Sequence, residues 1–349
     1  EARHNVVMTP NGNMYFDHYQ ADPKTEPLAI GGFTDLESVY RYEPIPAGLD
    51  DEYHEYVMGA QANVWTEYMK TPDYVEYMVY PRAVALAETV WSAKSNRDWT
   101  HFQEKLPHQY ALLDSKNVNY HISQPNGLSN SLTLDEQVSI QLSSPYEGST
   151  IYYTTDGSEP SEGSTRYQDE ISLDILDPIE VKAITVLAGG ARSTVASATY
   201  QKATLYEPIQ PLKADKGLEV FMTTGGFGSV NALTPKGQAE IVTSISLPKE
   251  QPAQFGLVFR GMINVPSDGI YTFFTTSDDG SSLSVADELV VDNDGPHGPQ
   301  EAYGQIALKA GFHTFEVKYF ESGGGERLTV EMEGPGIARN KIDPNLFYH

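Results

Sequence analysis

The sequence predicts a multidomain chain in which an α/β segment is followed by two all-β units, and three observations carry this. At 349 residues it is too long for one ordinary core and suits two to four domains of common size. Helix signals are confined to about residues 1–122, where Tyr, Trp and Met are also concentrated. Beyond that point Ser and Thr rise, and short alternating apolar segments are separated by turn clusters, as in packed sheets.

Taken in order, the first segment opens Glu1-Ala-Arg-His-Asn-Val-Val-Met, without an initiator Met, and "NVVM" is strand-like. Such a start reads as a cut. "NMYFDHY" (13–19) reads as a short strand ending in polar residues, and "GAQANVW" (59–65) as a second one opening on glycine. Thr71-Pro72-Asp73 marks a helix start, with a capping hydroxyl, a proline at the first helical position and an acid in the first turn. In the following "YVEYMVYPRAVALAETVWSA", Val75, Met78, Val79, Leu86 and Val90 fall near helical spacing, and Pro81 must kink or divide the helix. Strand, long loop, strand and helix suggest α/β architecture.

After "NYHISQPNGLSN" the segments "VSIQL", "TIYYTT" and "VKAITV" predict a small β-sandwich over about 124–203, with Asp156-Gly157 turning the chain after a strand. From 204 to 349 a second all-β unit follows, with strands at "GLVFRGMINV", "GIYTFFTTS", "HTFEVKYF" and "RLTVEME". Phe315, Val317 and Tyr319 alternate with Glu316 and Lys318, and Leu328, Val330 and Met332 with Thr329 and Glu331, so each strand buries one face. "SGGGE" (322–326) lacks the strand-to-helix setting of a dinucleotide loop and reads as a hairpin turn.

Composition removes several function classes. With 48 acidic against 23 basic residues and a formal charge of −25, the chain repels phosphate backbones and anionic lipid, so neither nucleic-acid binding nor membrane insertion is expected. No apolar run approaches the roughly 20 residues that span a bilayer. The absence of cysteine excludes disulfides, thiolate metal sites and cysteine nucleophiles. The nine histidines show no H-E-x-x-H or other zinc spacing, and no phosphate loop is present.

Two aromatic–carboxylate pairs stand out. Trp65 and Glu67, two apart on the expected strand, would point to one side, and Tyr15 and Asp17 repeat the arrangement. A pyranose needs an aromatic face for its C–H surface and acceptors for its hydroxyls. The same spacing also suits core aromatics beside solubilising acids, and spacing alone leaves both readings open.

The residues around these pairs form a longer pattern. "NMYFDHYQ", "VYRYEPIP", "GAQANVWTEYM" and "VEYMVYPRAVALAETVW" occur in that order, and over residues 4 to 120 they resemble the end of the catalytic barrel of glycoside hydrolase family 20, the β-N-acetylhexosaminidases. The resemblance implies that residues 1–122 are the C-terminal part of a (β/α)8 TIM barrel, with working residues at the C-terminal ends of its strands. It implies that Tyr15 donates to the substrate's acetamido carbonyl, that Asp17 and Glu67 hold ring hydroxyls, and that Trp65 walls the sugar. It further implies a retaining, substrate-assisted cleavage of terminal β-linked N-acetylglucosamine or N-acetylgalactosamine, needing no cofactor. In that family an adjacent Asp-Glu pair after His-x-Gly-Gly orients the acetamido group and supplies the proton. Asp51-Glu52, Asp135-Glu136, Asp169-Glu170 and Asp287-Glu288 all lack that preface. The catalytic pair is therefore expected on upstream polypeptide, the chain alone is expected to be inactive, and the upstream part of the same enzyme is its expected partner, alongside N-acetylhexosamine-terminated glycans.

The middle unit, marked by "IYYTTDGSEPSEGSTRY", resembles the β-sandwich appended to chitobiases and hexosaminidases. The last, with "SDDGSSLSVADELVVDNDGPHG" and "LKAGFHTFEVKYFESGGGERLTV", resembles the protective-antigen-like β-sandwich. In sugar-binding members of that group a calcium ion bridges an Asp-Asp dipeptide and ligand hydroxyls, and Asp278-Asp279 matches the dipeptide. Adjacent hard oxygens suit calcium; Asp-Asp-Gly is equally an ordinary turn. The leading expectation is a piece of an exported hexosaminidase, whether periplasmic, cell-surface or secreted. The alternative is a non-catalytic, adhesin-type carbohydrate-binding protein.

Overall fold

The computed structural model describes residues 3–23 and 25–349, and the chain is rich in strand with few helices. Two compact units form, one from Glu1–Asn130, Ser139–Leu173 and Ile179–Thr199, the other from Ser131–Val138, Asp174–Pro178 and Tyr200–His349. Among the described residues no helix is long and apolar enough to cross a membrane.

In the first unit, strand Val6–Met8 pairs in parallel with Val57–Ala60. The expected strand at "NMYFDHY" is replaced by a helical turn, Asn11–Met14, that delivers Tyr15 to a single parallel bridge with Asn63. The second expected strand likewise ends at Ala60, so Trp65 and Glu67 lie in irregular chain. Local alternation suggested two longer strands, but the buried Met14 and Phe16 follow a helical turn and a bridge.

The helix at 72 forms as read. Thr71 accepts from the Tyr74 amide at 3.2 Å, Pro72 occupies the first turn, and helix Pro72–Val79 is separated by Pro81 from helix Arg82–Trp91. A further helix, Trp99–Ser115, is capped by Asp98 and buries Phe102, Leu106, Tyr110 and Leu113 at near four-residue spacing despite Pro107 within it. These side chains pack with Met14, Phe16, Val39, Tyr40 and Ala85 into one core that also takes in Tyr146. The Tyr146 hydroxyl donates to Ser123 Oγ at 3.0 Å. Nearby, Thr150–Thr154 runs antiparallel to Ile179–Val186.

The second unit holds a larger sheet in the order Glu240–Val242, Leu218–Thr224, Phe255–Val265, Gly311–Glu321, Ser281–Val285, Glu288–Asn293, with Phe347–Tyr348 also pairing with Phe255–Val265. A smaller one runs Gln300–Leu308, Gly269–Asp278, Arg327–Gly334, Ile337–Lys341. Phe315, Val317 and Tyr319 are buried and Glu316 and Lys318 half-buried, as alternation requires. "SGGGE" is not a hairpin. The strand before it pairs with Phe255–Val265 and Ser281–Val285, the strand after it with Gly269–Asp278 and Ile337–Lys341, so the glycines carry the chain from one sheet to the other.

Candidate functional site

Where the Tyr15 and Asn63 segments run side by side, the Phe16 amide donates to the Asn63 carbonyl at 2.8 Å and the Asn63 amide to the Met14 carbonyl at 2.7 Å. Two residues further along each segment come Asp17 and Trp65, so the backbone brings the two sequence pairs onto neighbouring stretches. Asp17 is 5% exposed, and among the described residues its Oδ1 has no hydrogen-bond partner. A buried carboxylate oxygen without a donor is costly, and a ligand hydroxyl is the kind of group that relieves it.

Arg82, wholly buried at the start of its helix, fixes this stretch. It donates to the carbonyls of Phe16 (2.6 Å) and His18 (3.2 Å), on either side of Asp17, and to Thr34 (2.8 Å) and twice to Met78. All five guanidinium N–H groups are thereby engaged with carbonyls. Its carbon also lies 4.8 Å from the centre of the Phe16 ring. Burial pulls its pKa down to about 9 against the opposing charges of Asp17 and Glu26, so it is a cation at neutral pH. His18 shares Nδ1 with Thr34 Oγ1 at 3.0 Å. Burial, and to a lesser extent Arg82, lowers its pKa against the pull of Asp17, which keeps the ring neutral near pH 7. Gly32, at φ +66°, leaves room for that ring: a Cβ there would lie 2.7 Å from it.

Trp65 is 54% exposed, and Glu67 is exposed. Because neither lies on a strand, their common direction cannot be taken from strand parity. Their segment is tethered instead at Val64 and at the buried Met69, which packs with Ala29 and Met78. Each of the four Asp-Glu dipeptides is exposed, and Asp51-Glu52 sits in a 3-10 helix. None has the buried setting that raises a carboxylic acid for proton donation.

In the second unit Asp278, Asp279 and Glu321 each place one carboxylate oxygen within 4.8 Å of the others. Asp279 accepts from the amides of His297 (3.0 Å) and Ser322 (2.8 Å); Glu321 accepts from the Gly323 amide (2.7 Å) and the Tyr319 hydroxyl (3.1 Å). Burial, then the adjacent Asp279 charge, holds Asp278 above the ordinary carboxylate range, and burial does the same to Glu321. Three hard oxygen donors crowded in this way fit a calcium ion.

Sequence reasoning missed Arg82 and Glu321, although both left a signal. Glu321 continues the 315, 317, 319 alternation and so puts a carboxylate on the core face, where it is 1% exposed. Arg82 shares its buried stripe with Ala85 and Thr89, spacings of three and four that mark one helix face.

The family profile of the glycosyl hydrolase family 20 catalytic domain matches residues 1–94, that of the PA14 domain residues 232–346, and that of the Fn3 associated family residues 140–200. The resemblances read from the motifs of the first and last segments are thereby shown. A beta-hexosaminidase of Porphyromonas gingivalis is 33% identical over 291 residues, covering 79% of this chain and 37% of the relative. A beta-N-acetylhexosaminidase of Cellulomonas fimi is 32% identical over 127 residues, 35% of this chain and 25% of the relative. The chain thus spans well under half the length of these relatives. Among solved structures, the GH20 beta-N-acetylhexosaminidase of Streptomyces coelicolor A3(2) is similar over 34% of this chain and 24% of its own, at 27% identity and a TM-score of 0.31.

Proposed function

We propose that this chain carries the sugar-positioning part of a retaining, substrate-assisted β-N-acetylhexosaminidase that removes terminal β-linked N-acetylglucosamine or N-acetylgalactosamine from glycans. The observation that carries the reading is the buried carboxylate oxygen of Asp17 that has no partner among the described residues, held between two carbonyls anchored by Arg82 and beside the segment that leads to Trp65. In this reading Asp17 and Glu67 accept ring hydroxyls, Tyr15 donates to the acetamido oxygen, and the exposed Trp65 ring covers the sugar. The acetamido oxygen forms the bond to the anomeric carbon as the glycosidic bond breaks, and the leaving oxygen takes a proton. Tyr15 helps by fixing the attacking oxygen in line.

The proton donor is assigned to an Asp-Glu pair on polypeptide that completes the barrel, because the Asp-Glu pairs of this chain are exposed. Val6, Val7 and Met58, exposed on the two-stranded parallel sheet, are the apolar surface such a partner would cover. Asp278, Asp279 and Glu321 are assigned to a calcium ion, which when bound neutralises their mutual repulsion and can ligate sugar hydroxyls. An exported location fits a glycan-degrading role.

Release of nitrophenol from an aryl β-N-acetylglucosaminide tests the reading, with the chain alone and after mixing with the polypeptide that completes its barrel. Turnover only on mixing supports it. Turnover by the chain alone places the acid among residues given no such role here, and silence in both arms favours a carbohydrate-binding protein without hydrolysis.

A further inference from the structure

We infer that a groove of about 440 Å³ in the second unit is a saccharide-binding site separate from both the Asp17 cradle and the Asp278–Asp279–Glu321 cluster. It opens where Glu288–Asn293 ends the larger sheet and Gln300–Leu308 ends the smaller one. The two edges are brought together by two local devices. Leu289 pairs with Ser284 and Val291 with Leu283, so Val290 is the extra residue of a bulge. The Val290 carbonyl then packs directly on Gly304, where any Cβ would lie 1.7 Å from its oxygen.

The opposite wall is equally fixed. The Tyr206 amide donates to the Ala307 carbonyl at 2.8 Å, the Lys309 amide to the Tyr206 carbonyl at 3.1 Å, and the Leu132 amide to Gln305 Oε1 at 2.8 Å. Tyr206, 39% exposed, shares the lining with the Glu288 carboxylate, while Leu289, 59% exposed, stands beside them.

The lining selects its ligand by chemistry. An aromatic face, a branched apolar side chain and a carboxylate with acceptor capacity remaining match a pyranose, which has a C–H face and a rim of hydroxyls. An anion would meet Glu288 on a chain of charge −25, and the cation of the lining, Lys202, is already paired with Glu136 at 3.0 Å; a wholly apolar ligand would cover the Glu288 carboxylate without pairing it. The volume falls within the roughly 300–1,000 Å³ of small-ligand sites. Choosing an N-acetylhexosamine unit as the sugar rests on the hexosaminidase reading; the groove itself does not.

Titration calorimetry of chitotetraose into the 349-residue chain, with EDTA present, tests the inference in the wild type and in Tyr206→Ala, Leu289→Asp and Trp65→Ala. Binding that persists in EDTA and in Trp65→Ala, but weakens about tenfold or more in Tyr206→Ala and Leu289→Asp, is the expected result. Leu289 is mostly in solvent, so an unchanged Tm for Leu289→Asp separates lost binding from lost fold. Binding unmoved by both groove variants, binding lost only with Trp65→Ala or EDTA, or no binding by the wild type overturns the groove. Failure of the nitrophenol assay instead overturns the hydrolase reading and leaves the groove standing.

Discussion

Replacing Arg82 by methionine keeps most of the side-chain volume and removes a guanidinium that serves four carbonyls, those of Phe16, His18, Thr34 and Met78. The four residues are themselves buried, so water cannot simply replace it. Each stranded acceptor costs about 1–3 kcal/mol. Four would cost about 4–12 kcal/mol without relaxation, and even a third of the upper figure is a large part of the roughly 5–15 kcal/mol that holds a domain together. Arg82→Met is therefore expected to destabilise the first unit by at least about 4 kcal/mol, and Arg82→Lys by less, since an ammonium can serve some of the carbonyls but not as a planar fork.

The assay follows from the placement of the tryptophans. Trp65, Trp91 and Trp99, the chain's three, all fall in the first unit, so tryptophan fluorescence during guanidinium unfolding reports on that unit alone. A loss below about 1 kcal/mol for Arg82→Met, at an unchanged denaturant slope, would falsify the view that Arg82 anchors the segment carrying Asp17.

Three further outcomes are expected. On the proposed reading, Trp65→Ala in the chain completed by the rest of its barrel should lower kcat/KM by about 10- to 100-fold, because stacking and acetamido positioning would be lost together; an unchanged kcat/KM removes Trp65 from the site. Gly304→Ala should destabilise the second unit by about 1–3 kcal/mol, as its new Cβ would lie 1.7 Å from the Val290 oxygen; a Tm equal to the wild type refutes the edge contact. The raised pKa values of Asp278 and Glu321 mean that the folded state favours their protonated forms. Their contribution is complete below the ordinary values of 3.8 and 4.5 and is lost as pH climbs through the raised ones. Asp278→Asn with Glu321→Gln should thus raise the cation-free Tm of the second unit more at pH 7 than at pH 4 and abolish stabilisation by calcium, whereas a calcium-dependent Tm gain retained in the double variant rejects the cluster as the ligand set.

The second unit was legible because its physics is local. A strand buried on one face must alternate, so Phe315, Val317 and Tyr319 announced their orientation without reference to any other element. Pairing is not local, and "SGGGE" shows where the reading failed: flexible glycines between two strands suit a hairpin as well as a crossing between sheets, and only the partners of the flanking strands decide. The first segment was harder for the same reason. Alternating residues at 13–19 resembled a strand, yet the partner that arrived, Asn63, bridges only Tyr15. Trp65 and Glu67 were located by type and order, while the strand parity invoked for them does not exist.

Asp17 shows why a charged residue on an apolar stripe merits separate attention. A buried Arg near a buried Asp would ordinarily be taken as a salt bridge, and such a pair would close the carboxylate to ligands. Here the guanidinium has no N–H left for Asp17, since its five donors all point at carbonyls. Arg82 therefore offsets the Asp17 charge through space and positions its backbone from both sides, but leaves Oδ1 without a donor among the described residues. That division reconciles two requirements that a direct ion pair would set against each other, tolerating a carboxylate in the interior and keeping its oxygen available to a hydroxyl. A lysine at 82 could meet the first requirement with its charge, but its three N–H groups could not hold four carbonyls at once, so the charge and the placement of Asp17 separate experimentally at this one position.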